Sequence, residues 1–359
     1  MKPTTIPELQ EMIRAHPRVA PGGAGTKTAL ASVDDGSVCI SVTGLSGMLE
    51  YQPDEYTFIC LAGTPVAEVE ELLAANGQYL PFDPVLVAAG ATLGGTVAAG
   101  LSGPGRYRYG GVRDFLLGVQ FADGQGNLVR AGGRVVKNAA GFDLPKFMVG
   151  SLGSYGALVE LAFKVFPRPA SCATLRARYP SLAAGLAALI RLTRQPVEIY
   201  ALELEPVEGS ADLIVRVGGA PASLMRRIER TQQLLGGEAA AVTQGYEEVQ
   251  FWCSAREFLW LPPGDNLVKV PLTPRRVSAL EEALSGFAGR RVYSSGANLA
   301  WLSWRGDLEA LDRILAGMEL SGLVVLGRPG QRRLGARSGE TFARRMKQAL
   351  DPGNKFVGE

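Results

Sequence analysis

The sequence predicts an α+β protein of two domains followed by a short tail. The chain has 359 residues, too many for one small core. Up to residue 169 glycine is crowded between short apolar runs, and Pro167-Arg168-Pro169 then reads as a boundary. Beyond it glycine thins, and strand-like and helix-like runs alternate as in an antiparallel sheet with covering helices. The expected segments are 1–169, 170–335 and 336–359.

Residues 6–16 (IPELQEMIRAH) have helical apolar spacing with a proline near the start. Arg18–Ala20 reads as a short strand entering a glycine turn. Segments 37–42 and 56–62 are strand-like. Thr64-Pro65 opens a helix with Val66, Val69, Leu72 and Leu73 on one face, which Asn76-Gly77 ends. Asp123-Gly124 between the apolar runs 115–121 and 127–131 signals a hairpin. Residues 157–166 form a further strand.

In the second segment, 172–178, 197–204 and 212–217 read as strands, with helices at 181–194 and 222–235. A helix at 247–259 follows. Strands at 266–271, 290–294, 298–303 and 322–326 then accompany helices at 275–286 and 307–318. The pattern is that of an antiparallel sheet with ferredoxin-like halves. Gly327–Arg337 reads as a polar linker, and 340–350 as a last helix ending at Asp351-Pro352-Gly353.

Composition narrows the function. Lys and Arg number 37 against 35 Asp and Glu, a balance that points to neither nucleic acid nor an anionic membrane as main ligand. Arg332, Arg333, Arg337, Arg344 and Arg345 form a basic group that reads as a solvated face. Cys39, Cys60, Cys172 and Cys253 form no C-x-x-C pair, so no zinc or iron–sulfur site has local support. The first residues lack a signal-type apolar core, and no apolar run reaches spanning length, so a cytoplasmic chain is expected. The only histidine is His16, before a proline at a helix exit and read as a surface residue.

The chemistry resides in three glycine segments. The first is Pro21-Gly22-Gly23-Ala24-Gly25-Thr26-Lys27. Consecutive glycines let backbone N–H groups form a nest for a pyrophosphate, although a plain hairpin turn has the same make-up. It is not a G-x-G-x-x-G fingerprint, because position 28 is Thr28, so an NAD-binding Rossmann domain is poorly supported. The second runs from Leu80-Pro81-Phe82-Asp83-Pro84 to Gly90-Ala91-Thr92-Leu93-Gly94-Gly95-Thr96, then Gly100, Gly103, Arg113 and Asp114. The third is Lys137-Asn138-Ala139-Ala140-Gly141-Phe142-Asp143-Leu144, then Gly150-Ser151-Leu152-Gly153-Ser154-Tyr155-Gly156. Glycine at so many positions between apolar strands suggests a backbone-lined cofactor bed, which a branched side chain at Gly94 or Gly153 would enter.

Together these segments, covering most of 18–168, resemble the flavin-binding domain of the vanillyl-alcohol oxidase, or PCMH-type FAD-binding, superfamily. Within it they are most similar to the FAD-binding E-subunit family of bacterial glycolate oxidases. The resemblance implies a two-subdomain FAD-binding domain, an α+β cap domain with an antiparallel sheet, and a tail returning to the FAD domain. It implies that Gly22, Gly23, Ala24, Gly25 and Thr26 cradle the diphosphate and that the loops holding Pro84, Gly90, Ala91, Thr92, Gly94, Gly95, Gly100 and Gly103 pass beside the flavin. It also implies cofactor roles for Arg113, Lys137, Asn138, Gly141, Asp143, Ser151, Gly153 and Gly156. Noncovalent FAD is expected, because residues 90–111 contain no histidine or cysteine. Two positions depart from the family pattern. Ala24 replaces a glycine, and Leu152 stands where catalytic relatives commonly have an acidic residue.

The implied function is the FAD-binding part of a glycolate (2-hydroxy acid) oxidase acting with a sister FAD-containing catalytic subunit and an iron–sulfur subunit. Such a complex would be cytoplasmic or peripheral at the inner membrane. Two alternatives stay open. One is an autonomous FAD-dependent D-lactate or 2-hydroxy acid dehydrogenase, with Arg106, Arg108 or Lys146 holding a carboxylate and Tyr107 or Tyr109 as base. The other is a noncatalytic scaffold. No catalytic residue is assigned.

Overall fold

The computed structural model describes residues 1–31, 36–133, 142–236 and 241–357. The chain divides into two compact units. One is Met1–Ser102, Gly110–Arg168 and Ser338–Glu359; the other is Gly103–Tyr109 and Pro169–Arg337.

In the first unit, α1 (Ile6–Ala15) is capped by Thr5, whose side chain accepts from the Glu8 N–H, and it buries Leu9 and Ile13. Strands β1 (Val19–Gly22) and β2 (Val38–Ser41) pair in parallel, Val19 opposite Val38 and Gly22 opposite Ser41. A tight hairpin joins antiparallel strands, so the glycine turn after β1 is not one. Next come β3 (Met48–Gln52), which lacks the alternation that would reveal it in sequence, and β4 (Thr57–Leu61). Helix α2 (Val66–Ala74) buries Val66, Val69 and Leu73. Leu72, expected on that face, lies at its edge and is exposed.

After β5 (Gln78–Tyr79) comes α3 (Leu93–Ala99), in a stretch the sequence reading took for loop. Thr92 caps it and Gly100, at φ 62°, ends it in the left-handed region. The single turn α4 (Arg106–Tyr109) belongs to the second unit. The chain then returns through α5 (Val112–Phe115) to β6 (Leu116–Ala122) and β7 (Leu128–Gly132), the expected hairpin. Its left-handed residue is Gly126 rather than Gly124, and Asp123 Oδ1 accepts from the Gln125 and Asn127 N–H groups at 2.8 Å each. Helix α6 (Leu144–Met148), β8 (Ala157–Lys164) and β9 (Phe166–Pro167) complete this part. The main sheet is antiparallel, in the order β3-β4-β8-β6-β7, with β5 and β9 as a separate pair. Phe82 stacks near Phe163, and Phe163 against Phe58, at centroid distances of 5.7 and 5.6 Å.

The second unit contains β10 (Ser171–Tyr179), α7 (Leu182–Thr193), β11 (Ile199–Val207), β12 (Ser210–Gly219), α8 (Pro221–Leu235) and β13 (Ala241–Gln244). Then follow α9 (Gly245–Arg256), β14 (Asn266–Pro271), α10 (Val277–Ala283), β15 (Arg291–Ser294), β16 (Leu299–Trp304), α11 (Leu308–Gly317), β17 (Ser321–Leu326) and β18 (Arg333–Gly335). The nine-stranded sheet has the order β13-β10-β12-β11-β15-β16-β14-β17-β18. Its pairs are all antiparallel. Each half is a βαββαβ run whose fourth strand lies beside the first, the ferredoxin-like arrangement anticipated from sequence. The halves meet where Leu204 of β11 pairs with Tyr293 of β15. The supposed polar linker contributes β18, which is short and therefore lacks a clear alternating pattern. Helix α9 is fastened to β10 and β12 by buried Glu248, which takes a bidentate pair from Arg216 at 2.8 and 3.0 Å.

The last helix, α12 (Glu340–Leu350), belongs to the first unit. Beyond it the chain runs beside β1: the Val19 N–H donates to Lys355 O and the Val357 N–H to Val19 O. Phe356 enters the core formed by Leu9, Ile13, Val19, Ile40 and Val159. No helix among the described residues is long and apolar enough to cross a membrane.

Candidate cofactor site

A solvent-open cleft of about 930 Å³ lies within the first unit. Three sequence segments meet in it. The turn from Pro21 to Lys27 forms one wall, Thr92, Gly95, Ala98 and Ala99 of α3 another, and Leu152 and Gly153 a third, with Cys39 and Ser41 of β2 beside the turn.

Close approach explains two glycines. A Cβ on Gly23 would collide with Thr92 Oγ1, the atom that caps α3 by accepting from the Gly95 N–H at 3.2 Å. A Cβ on Gly153 would meet Pro21 Cγ at 3.2 Å and its carbonyl oxygen at 3.3 Å, and Gly153 has φ of 77°. The turn and the Gly150–Gly153 segment are therefore drawn together across backbone atoms. Leu152 also has a left-handed φ of 51°, and its N–H donates to Ala98 O at 2.9 Å. A bulky residue held in that region stores strain of a kind concentrated at ligand sites. The adjoining Ser151 hydroxyl is buried and has no hydrogen-bond partner among the described residues. An orphaned buried hydroxyl beside a cradle that side chains would fill is the condition expected of a site shaped for a bound group.

Of the residues singled out in the sequence, Gly22, Gly23, Ala24, Gly25, Thr26, Thr92, Gly95 and Gly153 line this cleft. Others have different places. Gly94 donates its N–H to Ala62 O at 2.7 Å, and a Cβ there would strike Ala62 rather than a ligand bed. Gly156 packs under the Phe121 ring, where a Cβ would come within 2.6 Å. Gly100 caps α3, and the buried Ala91 accepts from the Val66 N–H through its carbonyl. Pro84 is buried and Gly90 exposed, both outside the lining. Gly103 belongs to the second unit. Arg113 is exposed. Asp143 caps α6 and pairs with Lys146 at 3.0 Å. Burial pushes the Asp143 carboxyl up, but the hydrogen bonds and charge of Lys146, aided by Arg113, leave it below the usual range. Lys137, Asn138 and Gly141 lie outside the described residues.

Sequence reasoning missed Lys27, Leu30, Cys39, Ser41 and Ala98 as lining residues. The signal for Lys27 was its place at the end of the glycine turn. The residue is only 8% exposed, and its Nζ donates to Thr26 Oγ1 at 3.2 Å. The single histidine takes no part, since His16 Nδ1 lies 2.8 Å from Met12 O at the end of α1. No metal-holding group of side chains occurs among the described residues.

The second unit contains four of the five residues considered for a hydroxy-acid site. Arg108 is clamped over the rings of Tyr109 and Tyr200, at 4.9 and 4.5 Å, and faces Glu198 at 3.6 Å. Burial, with Tyr109 beside it, pushes the Tyr200 phenol up to about 12. Burial also raises the Tyr107 phenol, which removes its case as a base near neutral pH. Arg106 lies near Lys269 of β14, whose ammonium is pushed down to about 8 by burial and by that neighbouring charge. Between about pH 8 and 10.5 the unfolded chain holds a proton at Lys269 that the folded chain has released, so this group's contribution to stability rises with pH. The stability of the wild type relative to K269M is expected to climb over that window, by at most about 1.4 kcal/mol per pH unit. Urea unfolding at pH 7, 8, 9 and 10 checks this, and a flat difference would refute it.

Residues 1–132 match an FAD binding domain family. That range contains all of the cleft lining except Leu152 and Gly153. The chain is 34% identical over 313 residues to the glycolate oxidase subunit GlcE of Escherichia coli, covering 86% of this chain and 83% of that protein. The chain belongs to the GlcE family. It is an FAD-binding member of a group of flavin oxidoreductases. Glycolate oxidase subunit GlcD of Bacillus subtilis is 25% identical over 248 residues, spanning 64% of this chain and 53% of that relative. A solved structure of alkyldihydroxyacetonephosphate synthase shares the fold at 16% identity, with a TM-score of 0.74 over 99% of this chain and 75% of that one. These likenesses place the GlcE-family chain in the PCMH-type FAD-binding fold.

Proposed function

We propose that this chain is the FAD-holding subunit of a glycolate (2-hydroxy acid) oxidase, acting with a sister FAD-containing catalytic chain and an iron–sulfur chain. The observation that carries the reading is the convergence of Gly23, Thr92 and Gly153 in one cleft of the FAD-binding region. Bound FAD would supply a hydride acceptor. The Gly22–Thr26 backbone would take the diphosphate, while Thr92, Gly95 and the Ser151–Gly153 segment would hold the rest of the cofactor against α3. Binding is noncovalent in this reading, since residues 90–111 offer no cysteine or histidine for a flavin linkage.

Dependence on a partner is supported by what lines the cleft. Leu152 fills the position of an acidic residue, and no histidine or carboxylate is among the described lining residues. The complex would be cytoplasmic, meeting the inner membrane only through its other chains. A second reading is an autonomous 2-hydroxy acid dehydrogenase, with Arg106, Arg108 or Lys146 as the candidates to hold a carboxylate.

The purified chain is expected to be yellow, to release its flavin on acid precipitation, and to stay oxidised on anaerobic addition of glycolate or D-lactate. Adding the partner chains should then permit bleaching by glycolate. Bleaching of the isolated chain would favour the second reading. A colourless chain that takes up no added FAD would leave only a scaffold.

A further inference from the structure

We propose that Lys347 is a positioning residue for the cofactor cleft, and that through its ammonium the docking of the C-terminal tail and the binding of FAD favour one another. The inference rests on the flavin site proposed above. Two walls of the cleft hang on different parts of the chain. The glycine turn continues β1, whereas Leu152 and Gly153 lie in the segment between α6 and β8. These walls approach each other at Gly153, where an added Cβ would sit 3.2 Å from Pro21 Cγ.

The tail holds both. It runs beside β1, with the Val19 N–H donating to Lys355 O at 2.8 Å and the Val357 N–H to Val19 O at 3.0 Å. Lys347 Nζ, reaching from α12, donates to Ser154 O at 2.7 Å, to Phe356 O at 2.6 Å and to Asp351 Oδ2 at 2.7 Å. An ammonium has three donors, and these three acceptors use them all. An ion pair with Asp351 alone would need neither carbonyl. The Ser154 N–H donates in turn to Ser151 O at 2.9 Å, which closes the turn containing Leu152 and Gly153. One ammonium thus ties that wall to the strand flanking the other. A ligand held between the two walls restrains both, so it stabilises the docked tail. By linkage the docked tail strengthens ligand binding by the same factor.

The test combines amide hydrogen exchange of the full-length chain, with and without saturating FAD, and titration of the flavin-free chain with FAD by flavin fluorescence. In the wild type FAD is expected to slow exchange of residues 351–357 by at least about tenfold, together with residues 151–156. K347M leaves the tail its bonds from the Lys355 and Phe356 N–H groups to Asp351. It is expected to bind FAD about tenfold more weakly, and FAD should no longer slow exchange at 351–357. K347R keeps the charge and donors and should recover most of both effects. Thermal unfolding of the flavin-free variants reports whether the fold is kept, and K347Q replaces K347M if that variant does not fold. FAD bound by the wild type with exchange at 351–357 unchanged would overturn the link and leave the flavin site intact. So would a folded neutral variant that keeps wild-type FAD affinity, or one whose tail FAD protects as in the wild type, the result expected of a merely structural lysine. A wild-type chain that takes up no FAD would remove the site and the link together.

Discussion

Gly23→Ala is expected to give a folded chain that has lost nearly all of its flavin. The added Cβ would collide with Thr92 Oγ1. That hydroxyl cannot simply turn away, because it caps α3 through the Gly95 N–H. Either the glycine turn retreats from α3 or the cap is lost, and both change the shape of the cleft. Overpacking of this kind carries about 1–3 kcal/mol of strain, and here the strain falls on the walls that meet the ligand. FAD affinity should drop by at least about 100-fold, given that misplacement of several N–H donors adds to the strain. Thr92→Ala removes the clashing oxygen, after which the nearest atoms to an alanine at position 23 are the residue 92 Cβ at 3.5 Å and Gly95 Cα at 3.7 Å. The double variant should regain much of the flavin despite losing a helix cap worth about 1 kcal/mol. Flavin content after desalting, and titration of the flavin-free proteins, decide the matter. Full flavin in the single variant, or no recovery in the double one, would contradict this account of the turn.

Asp351→Ala is expected to destabilise the first unit most severely. The Asp351 side chain is fully buried and holds three groups at once: Lys347 Nζ at 2.7 Å, the Lys355 N–H at 2.9 Å and the Phe356 N–H at 2.8 Å. Removing it leaves two backbone donors without their acceptor and takes the countercharge from the Lys347 ammonium, which keeps Ser154 O and Phe356 O as acceptors. Breaking a buried pair from one side commonly costs about 3–5 kcal/mol. For a unit of this size that corresponds to a fall in melting temperature of about 10 °C. Asp351→Asn keeps an acceptor for one of the N–H groups and should lose roughly half as much. A melting temperature within about 2 °C of wild type for D351A would refute the assignment.

The second unit was the more legible part of the fold in sequence. Its strands and helices are long enough for their periodicity to show; in the first unit the same holds for α12, which the sequence places at its observed limits. Short elements were not legible. Strand β3 has almost no alternation, β18 has three residues, and the glycines of α3 hid a helix whose cap and end, Thr92 and Gly100, were both visible. In the candidate site, the glycine turn and Gly153, which composition singled out, line the cleft. Composition singled out Gly94 and Gly156 as well, but each lies against another part of the protein, Ala62 or Phe121. Spacing cannot separate a glycine that admits a ligand from one that admits a neighbouring strand. Lys27 was overlooked because a lysine at the end of a turn is ordinarily solvated, and only the folded chain shows it buried.

Phe356 lies in the same core as Leu9, Ile13 and Val19. This sets an order of events during synthesis. Domains ordinarily fold from the N-terminus as they leave the ribosome. Here the second unit has all its residues once Arg337 has emerged, whereas the first must wait for the last few residues before its core can close. The cleft walls on β1 and β2 therefore belong to a part of the chain that matures only after Phe356 is made, and a nascent chain arrested before Asp351 would leave Leu9 and Ile13 of α1 without the Phe356 side of their core.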